Sequence, residues 1–325
     1  MNKCFGTTSF NNNIFFKNET KISVIIPIFN CENSIKFSVS SIQNQRLKEI
    51  EIILVNDFSE DKSKYIIENL RMHDKRIILI NNNKNMGTLY SRNIGALLAR
   101  GKYIFALDHD DMFLDDHIIY KMYKIAEMKD YDIIGFKTLY LNKGNYYDEP
   151  YITNKNDKVT MQPKLKFLSF SNKDCHIWAK CIKKEIYKKA ISLMGVKRST
   201  TYLCYGEDDV IVYMLFSTAK IFRFIPVYGL LHFVSEQTAS FKLSEKHKLF
   251  SKIFFLELVF ELTDNNFMEK KYVFLAAKSI KLYIEQKNLN FDETNKNYLK
   301  KVIKKIINCN YISVENKEFI TKLIY

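Results

Sequence analysis

The chain has 325 residues, of which 47% are hydrophobic, and this composition supports a large core and excludes disorder throughout. Its 50 Lys and Arg exceed its 36 Asp and Glu, so the net charge is +14. That charge favours an anionic partner such as nucleic acid, acidic lipid or a phosphorylated substrate, and a solvated basic surface is the alternative.

Strands and helices alternate along the first 107 residues, after a polar, Asn-rich extension over 1–20. Short apolar runs rich in β-branched residues predict four buried strands, at 22–29, 51–56, 76–80 and 102–107. Apolar residues at helical spacing predict the intervening helices, over 32–45, 59–70 and 87–100. We expect Asn33 or Ser34 to cap the first helix, and Ser59 the second, with acids in its first turn.

Strands separated by helices of this length form parallel βαβ units, which predicts an α/β fold with a mainly parallel sheet. Ligands of such sheets bind beyond the carboxyl ends of the strands. All four predicted strands end in polar residues, which are Asn30, Asn56 with Asp57, Asn81 to Asn83, and Asp108 to Asp111. We therefore expect a site along this edge of the sheet.

The pattern is weaker after residue 130. A strand is predicted over 131–136, a helix over 178–191, and a helix with an acidic first turn over 207–216. Lys-rich amphipathic helices follow from about residue 241, for example over 297–307. These helices are expected to be solvated, and the alternative is peripheral contact with anionic lipid.

The segment "LDHDD" provides the clearest candidate for a metal site. On an extended segment, Asp108 and Asp110 would point the same way, and their hard oxygen donors suit Mg²⁺ or Mn²⁺. The alternative is a solvated turn in which an Asp caps the next helix. The position of the segment, after a buried strand of the βαβ series, favours the metal site.

Two further groups of residues are candidates for nucleotide binding. Phe29, which follows Pro27 at the end of the first strand, offers an apolar face for a base, and Asp57 is an acceptor for a base N–H. Gly87 lies at a helix start that favours an anion, and Arg92, one turn on, is a candidate phosphate ligand. The alternatives are a core Phe29, a helix-capping Asp57 and a surface Arg92.

The six Cys are scattered and include no CxxC pair, which argues against a zinc ribbon or dithiol site and predicts reduced thiols. The first 20 residues lack the apolar segment of a signal peptide. Residues 253–260 are interrupted by Glu257 and fall short of the roughly 20 residues that span a bilayer. We expect a cytoplasmic protein, at most associated with a membrane surface.

The order and spacing of these segments resemble the family 2 glycosyltransferases of the GT-A fold, which are inverting enzymes. The resemblance depends on "ISVIIPIFN", "SVSSIQNQ", "IEIILVNDFSED", "NMGTLYSRNIGALLARGKYIFALDHDDMF" and the shorter "YGEDDVIVYMLF". It implies a GT-A domain at 21–240, with its nucleotide-binding part at 21–136, its acceptor part at 137–240, and a helical C-terminal region at 241–325.

The resemblance also implies roles for individual residues. The donor would be a nucleotide-diphosphate sugar, usually UDP-linked, with its base held by Phe29 and Asp57 and with Arg92 nearby. Asp110 would bind Mn²⁺ or Mg²⁺ directly, and Asp108 would contact the ribose or a metal-bound water. The pair Glu207–Asp208 would supply the general base, Asp208, which takes the proton of an acceptor hydroxyl on a glycan, lipid or protein.

Several departures from the family pattern leave alternatives open. Phe58 stands where the family usually has Gly, and His109 where a small residue is common. Asp209 enlarges the acidic group, which leaves the base assignment uncertain by one residue. Trp178 is a candidate for stacking on a sugar, and His232 for closing over the diphosphate. The sequence favours no nucleic-acid partner, although a basic nucleic-acid-binding protein and a sugar-phosphate nucleotidyltransferase are the competing functions.

Overall fold

The computed structural model describes residues 19–148, 157–161, 163–164, 176–234, 243–262 and 293–308, together with four single positions. Cys4, Cys175, Cys309 and most of the predicted extension over 1–20 lie outside the described residues. Of the other cysteines, Cys31 and Cys181 are buried and free, as predicted for core thiols, and Cys204 is free and half-buried.

Four parallel strands and three helices form the first part of the chain, close to their predicted positions. In chain order they are β1 (Ile22–Ile28), α1 (Ile35–Gln43), β2 (Ile50–Asn56), α2 (Ser63–His73), β3 (Ile77–Asn81), α3 (Thr88–Leu98) and β4 (Tyr103–Ala106). Every residue of β1, β2 and β4 is buried, because helices cover both faces of a parallel sheet.

The second part of the chain extends the same sheet. Its elements are β5 (Met112–Phe113), α4 (Ile118–Lys129), β6 (Ile133–Asn142), β7 (Asn145–Asp148), β8 (Lys158–Thr160), β9 (Lys180–Lys183), α5 (Lys184–Met194), α6 (Val196–Ser199), α7 (Glu207–Thr218), β10 (Phe222–Phe233), α8 (Glu245–Glu261) and α9 (Glu293–Ile307). The strand order is β3-β2-β1-β4-β9-β6-β10-β5, with β7 beside β6 and β8 beside β10. The longest ladders are parallel, and β9 is antiparallel to β4 and β6.

One predicted helix is wrong in its first part. Residues Lys180–Lys183 form β9, and the helix begins only at Lys184. Trp178, Cys181 and Ile182 have the spacing of a helix face, but Cys181 and Ile182 are buried as adjacent residues between two neighbouring strands. Tertiary pairing therefore overrides the local pattern here.

The predicted helix caps are also wrong in detail. Ser34 is the residue before α1, but its side chain makes no capping bond, and α2 begins after Lys62, so Ser59 is outside it. No acidic residue lies in the first turn of α2. The carboxylate of Asp61 instead accepts the N–H of Ser63 at 2.9 Å, a local bond that orders the chain before the helix.

Helix α7 lies at the centre of the larger core. Seven consecutive residues, Val210 to Phe216, are buried, because α7 packs against α3, α5 and α8. Helix α9 packs on α8 through Leu299, Val302, Ile303 and Ile306, and its lysines occupy the remaining surface. The C-terminal helices thus belong to the core of the domain, and the apolar face of α9 is not available to a membrane.

An acidic residue between α2 and β3 gives a measurable pH dependence of stability. Asp74 accepts hydrogen bonds from Arg76 Nη2 at 2.8 Å and from Gln43 Nε2 at 3.0 Å. Burial alone would raise the pKa of Asp74, but these bonds lower it from 3.8 to about 2. Its stabilising effect is therefore fully present above pH 3.8 and is lost as the pH falls through 2.

We expect Asp74→Asn to lower the free energy of unfolding by about 2 kcal/mol at pH 7. Urea unfolding of both proteins should show this difference shrinking between pH 4 and pH 2. Asp116→Asn is the control, because Asp116 pairs with Arg46 at an exposed position and such pairs contribute little. A difference for Asp74→Asn that stays constant down to pH 2 would contradict the assignment.

Candidate functional site

The carboxyl ends of β1, β2 and β4 bring predicted site residues together at one edge of the sheet. Pro27 lies two residues beyond Ile25, the last residue of β1 that pairs with β4. The N–H that proline lacks would therefore have no partner on β4, and the sheet loses no hydrogen bond there. Phe29 is 44% exposed just past β1. Asn30 has a left-handed backbone, with φ of 48°, and its side-chain oxygen accepts the N–H of Glu60 at 2.9 Å.

Asp57 is buried at the end of β2, where it organises the loop before α3. Its carboxylate accepts hydrogen bonds from Asn82 Nδ2 at 2.8 Å, from Met86 N at 2.7 Å and from Gly87 N at 2.8 Å. Gly87 needs its φ of 85°, and an added Cβ would lie 2.9 Å from the backbone of Leu203. The carboxylate thus holds this loop rather than capping α2, and its contact with a base stays a prediction.

Arg92 connects two predicted acidic residues inside the protein. Its Nη2 lies 2.6 Å from Oδ1 of Asp108 and 3.8 Å from Oδ1 of Asp208. The side chain is 2% exposed, which contrasts with the surface arginine of the alternative prediction. In the structure, the guanidinium holds the two carboxylates close together. A contact between Arg92 and a donor phosphate stays a prediction.

Residues Asp108 to Asp111 form a turn, so the expectation of an extended segment is wrong. The N–H of Asp111 donates to the carbonyl of Asp108 at 3.1 Å. Burial alone would raise the pKa of Asp108, but Arg92 lowers it. Burial raises the pKa of Asp110 and the charge of Asp108 adds to this effect, whereas His109 opposes it.

Asp111 and His232 form an ion pair beneath this turn. Both oxygens of the buried Asp111 carboxylate lie 2.9 Å from Nδ1 of His232 on β10. Burial alone would lower the pKa of His232, but the Asp111 carboxylate raises it. The pair therefore ties the turn to β10, and His232 is committed to Asp111. His109 contacts Ser34 at 3.1 Å and lies 4.0 Å from Asp110.

Glu207 and Asp208 begin α7, directly after Gly206. Burial raises the pKa of Glu207 to about 8, with a further increase from the charge of Asp208. Burial also raises the pKa of Asp208, but Arg92 counteracts this and leaves it at about 6. Asp208 is thus the more acidic of the two, and it is the one that approaches Arg92 and Asp108.

Trp178 packs against two histidines. Its ring is stacked on His176 at a centroid distance of 4.2 Å and on His232 at 5.1 Å, with interplanar angles of 17° and 5°. These contacts give the indole a structural role, and its stacking on a sugar stays a prediction. His176 also acts electrostatically on Asp208, so the three rings extend from the Asp111 pair towards the predicted base.

Comparison with known proteins identifies the class. A family model for glycosyl transferase family 2 matches residues 23–190, just over half of the chain. The chain belongs to this family. This membership agrees with the resemblance predicted from the sequence.

Relatives of this glycosyltransferase match it over limited lengths. An uncharacterized glycosyltransferase of Haemophilus influenzae is 41% identical over 97 residues, which are 30% of this chain and 39% of that protein. The GalNAc(5)-diNAcBac-PP-undecaprenol β-1,3-glucosyltransferase of Campylobacter jejuni is 37% identical over 108 residues, 33% of this chain and 35% of that protein. The chain thus spans less than half the length of these curated relatives.

The names of a third relative and of a solved structure include a UDP-sugar. The UDP-Glc:alpha-D-GlcNAc-diphosphoundecaprenol β-1,3-glucosyltransferase WfaP of Escherichia coli is 34% identical over 128 residues, 39% of this chain and 47% of that protein. The structure of S. aureus TarS 1-349 in complex with UDP-GlcNAc has a TM-score of 0.66 and covers 94% of this chain and 84% of that one. At 15% identity, it confirms the predicted GT-A fold alone.

Asp108 and Asp110 are the two carboxylates predicted to bind a divalent cation, and their binding of a metal stays a prediction. In the described part of the chain, no group of three or more His, Cys, Asp or Glu is arranged to hold a metal ion. Asp108 and Asp110 offer two carboxylates, one oxygen of which is bound to Arg92. Mg²⁺ and Mn²⁺ commonly use one or two carboxylates and complete their coordination with water and substrate phosphate.

The sequence predicted no role for Asp111, and it made His232 only a candidate for closing over the diphosphate. Asp111 is the third acid of a cluster, and nothing in the local pattern distinguishes it from Asp110. Its partner lies 121 residues away, and no periodicity connects the two positions. The one signal in the sequence was an unexplained acid directly after the predicted metal ligands.

Proposed function

We propose that this glycosyltransferase moves a sugar from a UDP-sugar to an acceptor hydroxyl with inversion at the anomeric carbon. The supporting observation is the position of Arg92, whose guanidinium contacts Asp108 and approaches Asp208. One buried side chain thus connects the carboxylate predicted to face the donor with the predicted base. A transferase needs these two functions close together, on opposite sides of the bond that breaks.

We propose UDP as the nucleotide for two reasons, which are the names of similar proteins and the residues that follow β1 and β2. WfaP is named for UDP-Glc, and TarS was crystallised with UDP-GlcNAc. Phe29 offers an exposed ring to a planar base, and Asp57 has one lone pair left on Oδ2 beside its bond to Gly87. These features support a base subsite at Phe29 and Asp57, with Asn30 and Pro27 shaping its floor.

Mn²⁺ or Mg²⁺ is proposed to bind at Asp110 and Asp108. When bound, such an ion neutralises the charge that develops on a departing diphosphate. Asp110 contributes a second carboxylate, and Arg92 keeps Asp108 ionised. The protein therefore holds two acidic groups in one turn, and the ion pair of Asp111 and His232 fixes that turn to β10.

Asp208 is proposed as the general base. With a pKa of about 6 it is mostly ionised at pH 7, whereas Glu207, with a pKa of about 8, is mostly protonated. The acceptor hydroxyl gives its proton to the Asp208 carboxylate as its oxygen attacks the anomeric carbon. A single displacement of this kind inverts the anomeric centre, as in inverting glycosidases.

The acceptor is proposed to be a glycan or a lipid-linked saccharide. Two relatives are named for undecaprenol diphosphate acceptors, and the Lys-rich surface of α9 gives the enzyme a basic face for contact with anionic lipid. Lys305 on this helix pairs with Glu257 and Glu261, so part of that charge is neutralised. Among the described helices, none has the length and apolar character needed to cross a bilayer.

Thermal unfolding with added ligand tests the donor and the metal together. We expect saturating UDP with Mn²⁺ to raise the melting temperature by about 4 °C, and either ligand alone to raise it less. Slow hydrolysis of UDP-sugars with Mn²⁺, compared with GDP-, ADP- and CMP-sugars, then identifies base and sugar without an acceptor. No shift and no hydrolysis with any nucleotide would contradict the proposed function.

A further inference from the structure

Phe58 has a backbone conformation that bulky residues rarely adopt. Its φ is 65°, in the left-handed region, where a side chain crowds the following carbonyl. Glycine takes this conformation without that crowding. The turn after β2 therefore keeps a glycine-like backbone although the chain places a large aromatic residue there.

The surroundings of Phe58 fix this conformation from both sides. On one side, the Asp57 carboxylate is bound by the loop before α3. On the other side, the N–H of Ser59 donates to Oδ1 of Asn56 at 3.1 Å, and Oγ of Ser59 accepts the N–H of Asn30, also at 3.1 Å. Strained residues persist where neighbours determine the backbone in this way, and they cluster at ligand sites.

The ring of Phe58 is not explained by packing. It is 49% exposed and belongs to neither hydrophobic core cluster of the described residues. Two other exposed aromatic rings lie close to Asp57. Phe29 follows β1, the strand beside β2, and Tyr202 belongs to the loop whose backbone contacts Gly87.

The charge of Asp57 reaches the Tyr202 hydroxyl, which supports their proximity. Burial, the contact with Cys204 and, less strongly, Asp57 raise the pKa of Tyr202 to about 12. A buried carboxylate with exposed aromatic residues next to it in the chain and at the end of the neighbouring strand is suited to a planar ligand that carries N–H donors. Each nucleobase offers a π-face for stacking, and uracil also offers an N–H.

We propose that the ring of Phe58 forms a wall of the donor subsite and packs against the nucleobase, together with Phe29 and beside Asp57. The inference depends on the proposed function, because it concerns the base of the same donor. It makes Phe58 a specificity-determining residue of this chain, in which an aromatic ring is held over the site by a turn that elsewhere suits glycine.

Two substitutions separate the ring from the backbone. Phe58→Ala and Phe58→Gly both remove the ring, but only Gly suits a φ of 65°. We expect both variants to bind UDP with Mn²⁺ about 5- to 30-fold more weakly in calorimetry. Phe58→Gly should nevertheless unfold at a higher temperature than Phe58→Ala. Phe58→Tyr should retain the affinity of the wild type, because it keeps the ring.

The controls distinguish a base contact from a general effect. Inorganic pyrophosphate with Mn²⁺ has no base, so its affinity should be the same in wild type and variants. Phe37→Ala removes a ring that is 64% exposed on α1, and it should bind UDP as the wild type does.

Each other outcome has a definite meaning. Wild-type affinity for UDP in both Phe58→Ala and Phe58→Gly would overturn this inference and leave the proposed function standing. Loss of affinity in Phe58→Ala alone would also overturn it, because the turn and not the ring would then matter. Absence of nucleotide binding by the wild type would overturn the inference and the proposed donor together.

Discussion

Asp208→Asn is expected to lower the rate of sugar transfer by about 10²–10⁴-fold, the usual effect of removing a general base. The amide keeps the shape of the side chain but cannot take a proton from the acceptor hydroxyl. Binding of UDP with Mn²⁺ should change little, because Asp208 acts on the acceptor side. Steady-state rates and calorimetric affinities of the two proteins test this separation.

The neighbouring acid Asp209 provides the matched control for Asp208. Asp209→Asn changes the next residue of the same helix turn and should retain most of the activity. In the wild type, kcat/KM should rise with pH through about 6, where Asp208 loses its proton. Full activity of Asp208→Asn, or a larger loss in Asp209→Asn, would move the base assignment to another residue of the cluster.

Asp110→Ala is expected to abolish the part of UDP binding that depends on Mn²⁺, and to lower transfer by at least about 10²-fold. Removing this carboxylate leaves Asp108 as the one predicted ligand, and one of its oxygens is bound by Arg92. The measurement is the thermal shift produced by UDP with and without Mn²⁺, combined with the rate of donor hydrolysis.

Two comparisons make the Asp110 experiment decisive. Asp116→Asn removes an exposed carboxylate a few residues away and should leave the Mn²⁺-dependent shift intact. The unfolding temperature of Asp110→Ala without ligand should stay close to that of the wild type, because Asp110 is half-buried and holds no ion pair as short as that of Asp108. A full Mn²⁺-dependent shift in Asp110→Ala would rule out this site for the metal.

The first half of the fold was predictable because its signals are local. Strands β1, β2 and β4 are buried on both faces, so they read as unbroken apolar runs. The polar residues that follow these strands predicted Asp57 and Asp108 at the edge of the sheet. The acidic start of α7 was likewise visible, because Glu207 to Asp209 directly precede a long buried run.

The remainder depended on contacts between distant parts of the chain. The sequence predicted Arg92 near a phosphate, but it could not show that Asp108 and Asp208, 16 and 116 residues on, would surround the guanidinium. The Asp111–His232 pair and the contacts of Trp178 with His176 and His232 likewise join distant parts of the chain. Local periodicity says which side of an element is buried and says nothing about which distant residue it meets.

Strand β9 has a consequence for how such enzymes diversify. Although it belongs to the second half of the chain, it lies between β4 and β6 and pairs with both. A recombination event that joined the first 136 residues to the later part of a relative would have to recreate this ladder on two sides, along with the shared guanidinium. Exchanging the part of the chain after residue 136 for that of a relative is therefore expected to disturb the sheet between β4 and β6.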